Sequence, residues 1–232
     1  YHKQGAGFAS LVDREGKDWI SYRPGGGSAG EFRGIPNAIH PEGGFHPGAG
    51  GCESRVLADG PLMVRFVSRC EGGAWEGQWE IYPSFAQLTM LKAAHPYWFL
   101  YEGTPGGQLD VGGDYWAMPD GVRRPVKDDW QGRIAPPRWV YFGDAALRRV
   151  LFLVHHDDDG AFDQFWQMEG NMVVFGFGRQ YRCCEKSLTK TPAQFTIGLI
   201  ESNDHHEIRK RVEGAYRNLL ITKGEIEKRP PM

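Results

Sequence analysis

His95-Pro96-Tyr97-Trp98-Phe99-Leu100-Tyr101-Glu102-Gly103-Thr104-Pro105-Gly106-Gly107 is an aromatic run that stops at a Gly/Pro turn. Aromatic enrichment bounded by turn residues predicts a strand over Tyr97–Gly103, buried on both faces. A period of two puts Tyr97, Phe99 and Tyr101 on one face and Trp98, Leu100 and Glu102 on the other. Glu102 is then a carboxylate among large apolar neighbours, where its charged form is disfavoured unless it is paired. It is either a strand-end carboxylate held by water or an arginine, or a carboxylate that binds or acts on a substrate.

Working outward, strand signals recur on both sides. Residues 5–12 and Asp18–Tyr22 read as a first hairpin around Asp13-Arg14-Glu15-Gly16. Ser54–Leu57 and Leu62–Arg69 read as a second hairpin, with Cys52 and Cys70 at its open end and able to face each other. Trp75–Tyr82, Gln87–Lys92, Trp139–Phe142, Val150–His155, Phe162–Glu169, Met172–Arg182 and Phe195–Ile200 follow. Residues 104–138 read mostly as loop, with a short strand near Tyr115-Trp116-Ala117. The period then changes: Asp204 can cap a helix over about 204–220, with Ile208, Val212, Ala215, Leu219 and Leu220 on one face. Many antiparallel strands and one late helix predict an all-β chain, a two-sheet antiparallel β-sandwich with a C-terminal amphipathic helix. A single domain over 1–232 is expected.

Composition removes several function classes. The 232 residues carry a formal net charge of -2 and no basic block, so a nucleic-acid partner is not expected. No apolar run approaches the ~20 residues of a membrane span. There is no Gly-x-Ser-x-Gly, phosphate loop, dinucleotide fingerprint or Cys-x-x-Cys. The chain opens at Tyr1-His2-Lys3, so a removed leader and a secreted or periplasmic location are compatible with it.

Three clusters carry polar groups that a core does not need. The Gly-rich loop 23–51 holds Arg33, Asn37, His40 and His46; a loop of that length in a compact domain is expected to be functional, here as an ordered cover over a site. His155-His156-Asp157-Asp158-Asp159 ends an apolar strand. A divalent metal near His155 and Asp157 competes there with a charged turn; without His-x-His or His-x-x-x-His spacing, no cofactor is expected. In Met172–Arg182, strict alternation puts Phe175, Phe177, Arg179 and Tyr181 on one face, while Gly176 and Gly178 leave space on the other for a ligand or a large neighbour. Arg179 and Tyr181 beside phenylalanines suit a sugar ring and its carboxylate, and Gln167 and Glu169 could extend that surface.

Gly60-Pro61-Leu62-Met63-Val64-Arg65, Trp79-Glu80-Ile81-Tyr82-Pro83 and Tyr97–Gly107 resemble the strand sequences of the galactose-mutarotase-like β-sandwich superfamily, which includes aldose epimerases and domains of polysaccharide lyases. The likeness runs over roughly residues 5–202 and implies a concave sheet that binds a poly- or oligosaccharide. On that footing the expected activity is β-elimination on a uronate-containing glycan. His46 or His155 would be the base, Tyr181 or Tyr101 the acid, and Arg33, Asn37, Arg179, Glu102, Gln167 and Phe177 would bind substrate. An epimerase or hydrolase using Glu102 or Glu169 with a histidine, or a non-catalytic glycan-binding module, are the alternatives.

Overall fold

The computed structural model describes residues 1–169, 171–181 and 185–214. Chain order gives β1 (Cys52–Asp59), β2 (Val64–Cys70), β3 (Trp75–Ile81), β4 (Phe85–Lys92), β5 (Phe99–Gly103), β6 (Asp114–Ala117), β7 (Arg124–Pro125) and β8 (Trp130–Gly132). They are followed by β9 (Arg138–Asp144), β10 (Val150–His155), β11 (Asp163–Met168), β12 (Met172–Phe177), β13 (Arg179–Gln180), β14 (Glu185–Lys186) and β15 (Ala193–Ile200). Among the described residues, nine strands form a large sheet in the order β1-β2-β3-β4-β15-β10-β9-β6-β7, and four form a smaller one in the order β5-β12-β11-β8. The strand pairs in both are antiparallel. The chain is therefore an antiparallel all-β sandwich.

Alternation explains how the two sheets share a core. Leu88, Met90, Val140, Phe142, Leu151, Leu153, Phe195 and Ile197 point inward from the large sheet, and Phe99, Tyr101, Phe165, Val173, Phe175 and Phe177 meet them from the small one. Phe99 and Phe195 stack across the interface at 4.4 Å between ring centres. The outer face of the large sheet is apolar too, with Trp139, Tyr141, Phe152 and Val154. The helix over 205–214 covers it through Ile208 and Val212, its start fixed by the Glu207 N–H donating to Asp204 Oδ1 at 2.9 Å. The expected helical positions Ala215, Leu219 and Leu220 lie outside the described residues, as do Cys183 and Cys184. Cys52 and Cys70 are cross-strand partners joined by a disulfide.

Two expectations fail for local reasons. The first hairpin, 5–12 with Asp18–Tyr22, is not a ladder but a set of isolated bridges, His2 to Gly7, Phe8 to Ile35 and Val12 to Asp18. Ala6 and Ser21 adopt left-handed φ values of 57° and 59°. Asp18 Oδ1 accepts the backbone N–H groups of Leu11, Ile20 and Ser21, a local alternative to strand pairing. The other failure is in Met172–Arg182. Gly178, at φ 74°, interrupts the run, so β12 ends at Phe177 and β13 starts afresh at Arg179.

Loop 23–51 covers the outer face of the small sheet. Its run 34–38 lies antiparallel to β5 as an irregular edge: Gly34 and Glu102 exchange both backbone hydrogen bonds, and the Leu100 N–H donates to the Pro36 carbonyl at 2.7 Å. Phe32 packs on Trp166, Met172 and Val174.

Candidate functional site

The loop is held at both ends. Arg33, 5% exposed, donates to the carbonyls of Ser28, Ile20 and Asn171 and to Thr104 Oγ1. Its guanidinium fastens the loop to the β11–β12 turn and to the N-terminal segment, and is not among the groups that line the cleft described below. Farther along, Phe45 is fully buried, and a Cβ placed on Gly77 of β3 would lie 2.7 Å from its ring. Gly44 rests on the disulfide, where a Cβ would lie 2.4 Å from Cys52 Sγ. These anchors fix His46, one residue on.

Beneath the loop lies a buried polar cluster. Glu102 is 3% exposed, and burial pushes its carboxyl up to about 7 against the opposing pull of Arg179 and Asn37. The Asn37 side-chain amide donates to Glu102 Oε2 and to the Phe32 carbonyl, and the Trp98 indole donates to the Asn37 carbonyl at 2.6 Å. Asn37 sits at φ 46°, a region its short polar side chain tolerates. The Arg179 guanidinium stacks 3.8 Å from the Trp166 ring centre and 4.5 Å from that of Trp98. Burial pulls its pKa down to about 10, with Glu102 acting the other way.

The turn at Gly178 is why Arg179 is here. It places the side chain on the Gly176 face, where an added Cβ would meet Arg179 Cβ at 2.9 Å and Leu100 Cδ2 at 2.4 Å. The space left by the two glycines is thus filled by protein: Leu100 and Arg179 at Gly176, Leu188 at Gly178.

Above the cluster an open cleft of 610 Å³ is lined by Tyr22, Glu31, Phe32, His40, Glu42 and His46 among others. The two imidazoles stack at 4.4 Å between centres. His46 is 5% exposed; its Nδ1 accepts the Gly48 N–H at 3.0 Å, and its Nε2 faces the Phe32 carbonyl without reaching hydrogen-bond geometry. Burial pulls both histidines down to about 4. The charges of Arg179 and Lys186 add to the effect on His40, and His40 adds to that on His46. At neutral pH both are uncharged and able to accept a proton. Tyr22 completes the group. A Cβ on Gly48 would lie 2.7 Å from Tyr22 Oη and 3.3 Å from His46 Nδ1 and Cε1, so only glycine lets phenol and imidazole close over this point.

The residues singled out from sequence divide by face. His46, Asn37, Glu102 and Arg179 gather on the loop side of the small sheet, with Arg33 at its edge. Tyr101 is fully buried between the sheets, its hydroxyl donating to the Trp19 carbonyl at 2.8 Å, and Phe177 is core. Gln167 shares the inward parity of Phe165. Tyr181, at φ 60°, is 60% exposed and outside the cluster. His155 is 1% exposed and stacked 4.5 Å from Phe195, with burial holding its pKa well below the usual value. The neighbouring Asp159 and Asp157 pair with Arg138 and Lys190, and among the described residues no group of three or more His, Cys, Asp or Glu converges on a metal-binding geometry. Tyr22 was missed because nothing in the sequence links it to Gly48. No family model, curated protein or solved structure matches the chain.

Proposed function

We propose that this sandwich is of the galactose-mutarotase-like kind and that the loop-23–51 cleft cleaves a uronate-containing glycan by β-elimination. The observation that carries the reading is the convergence of two uncharged, stacked imidazoles and a phenol on one open cleft. His40 is the base: it is less buried than His46, whose Nδ1 is already engaged with Gly48. It removes the C5 proton α to the uronate carboxylate. The electron pair forms C4=C5, the C4–O bond breaks, and Tyr22 returns a proton to the departing oxygen. The positive field of Arg179 and Lys186, which lowers the pKa of His40, is the field a uronate carboxylate beside His40 would feel, and it favours the charge that builds up on that carboxylate. The disulfide suits an oxidising compartment, where such polymers are met.

The test is a panel of uronate glycans followed by the ultraviolet absorbance of the unsaturated product. His40→Ala should lose about 10²–10⁴-fold in rate. Reducing ends released without absorbance would replace the lyase by a hydrolase, and binding without any product would leave a glycan-binding module.

A further inference from the structure

One cation near the histidine cleft has an exchangeable partner. The Lys186 side chain of β14 is 8% exposed, and its ammonium sits 4.6 Å from the centre of the Trp98 ring. A cation this buried needs a counter-charge. Glu42 supplies it through an ion pair, although the Glu42 side chain is itself 63% exposed. Glu42 belongs to the cleft wall with His40 and His46, and Lys186 does not. A cleft carboxylate therefore caps the ammonium. Burial is the chief cause of the low His40 pKa; Lys186 lowers it further and Glu42 raises it, so both charges reach that imidazole.

The cap can move without the loop. The Glu42 N–H donates to the carbonyl of buried Ile39 at 3.0 Å, and a Cβ on Gly43 would lie 2.7 Å from Glu71 Oε1, so the backbone here is held on both sides. Releasing Lys186 takes only the rotation of an exposed side chain, a motion of picoseconds to nanoseconds. The ammonium must then receive another anion, because left alone it is a buried unpaired charge. A uronate carboxylate arriving beside His40 has the charge and shape of the one it replaces. A neutral sugar or a uronate ester carries no such charge and leaves Glu42 in place.

We propose that Lys186 selects the ionised uronate, and that Glu42 is a built-in competitor which the substrate carboxylate displaces. The substrate is then a glycan whose uronate is a free acid and not an ester. The assignment rests on the reading of the histidine cleft as a uronate site.

Binding is measured by calorimetry with oligogalacturonate, oligomannuronate and hyaluronan fragments, each as free acid and as methyl ester of equal length. At least one free acid should bind about ten-fold more tightly than its ester. Glu42→Gln, at an exposed position, should tighten that acid about ten-fold and leave the ester unchanged, because glutamine carries no charge to compete. Lys186→Met, which keeps an apolar contact with Trp98, should bring the acid down to the ester. An acid whose affinity Glu42→Gln leaves unchanged or weakens overturns the proposal, as does an acid-to-ester ratio that survives Lys186→Met. The absorbance assay on the same panel separates the two readings. Acid-selective binding that Glu42→Gln tightens, without product, keeps the lysine site and removes the lyase. Product formed with affinity unmoved by Glu42→Gln removes the lysine site and keeps the lyase, whereas neither binding nor product removes both.

Discussion

Replacing Glu102 by Gln should stabilise the protein in a way that depends on pH. Glu102 is buried beneath the loop, where its carboxyl is pushed up to about 7 from an ordinary 4.5. The folded state therefore binds more protons than the unfolded chain between these values, and stability falls as pH rises through that window. The full difference of about 2.5 units corresponds to roughly 3.4 kcal/mol, and about 3 kcal/mol of it is already lost at pH 7. Glutamine keeps the shape and accepts the amide of Asn37, but it carries no charge to desolvate. Urea denaturation with the disulfide intact should show the variant close to wild type at pH 4.5, with its advantage growing to about 3 kcal/mol by pH 8. Arg179 works against the gain, because at high pH it loses a counter-charge. Since Arg179's attraction is already contained in the raised value, the sign holds. A pH-independent difference, or a destabilised variant at pH 8, would mean that Glu102 is ionised at neutrality and that the Arg179 pair outweighs burial.

Two further outcomes follow from the same region. The rate of turnover should hold as pH falls through the usual histidine range and decline only near 4, because burial keeps His40 and His46 uncharged until then; an acid limb near 6.5 would show that neither is the base. Replacing Cys52 and Cys70 together by Ser should cost about 3 kcal/mol, as for a closed loop of this length, seen as a lowered Tm. Because Gly44 rests on the sulfur atoms, activity should fall more steeply with temperature than the global unfolding curve does; parallel curves would uncouple the disulfide from the cleft.

Much of the sandwich was legible from alternation. The sequence reading of Val150–His155 has the observed bounds because an unbroken apolar run suits a strand buried on both faces, and that of Trp75–Tyr82 comes close because its residues alternate. Reading failed where a polar side chain or a left-handed residue stood in for the ladder. Asp18 gathers three backbone donors and dissolves the first hairpin. A single Gly178 at φ 74° reverses the face of Arg179. In sequence, Arg179 and Phe177 share a face; in the fold they lie on opposite sides of the small sheet.

That reversal determines the chemistry of the site. Had β12 run straight on, Arg179 would share the inward face of Phe175 and Phe177. Turned outward, it meets Trp98, Trp166 and Glu102, and its field reaches His40. Glu102 had been placed correctly by period two, on the face of Trp98 and Leu100, and loop 23–51 does lie over that face. The loop and the late strand therefore share a surface, through Met172, Val174 and Arg179 and not through the Phe-x-Phe row, which is core. The aromatic partners of the arginine are Trp166 of β11 and Trp98 of the segment before β5. Gly178, expected to leave space for a ligand or a large neighbour, leaves it to Leu188, and its left-handed turn carries a cation to the underside of the cleft.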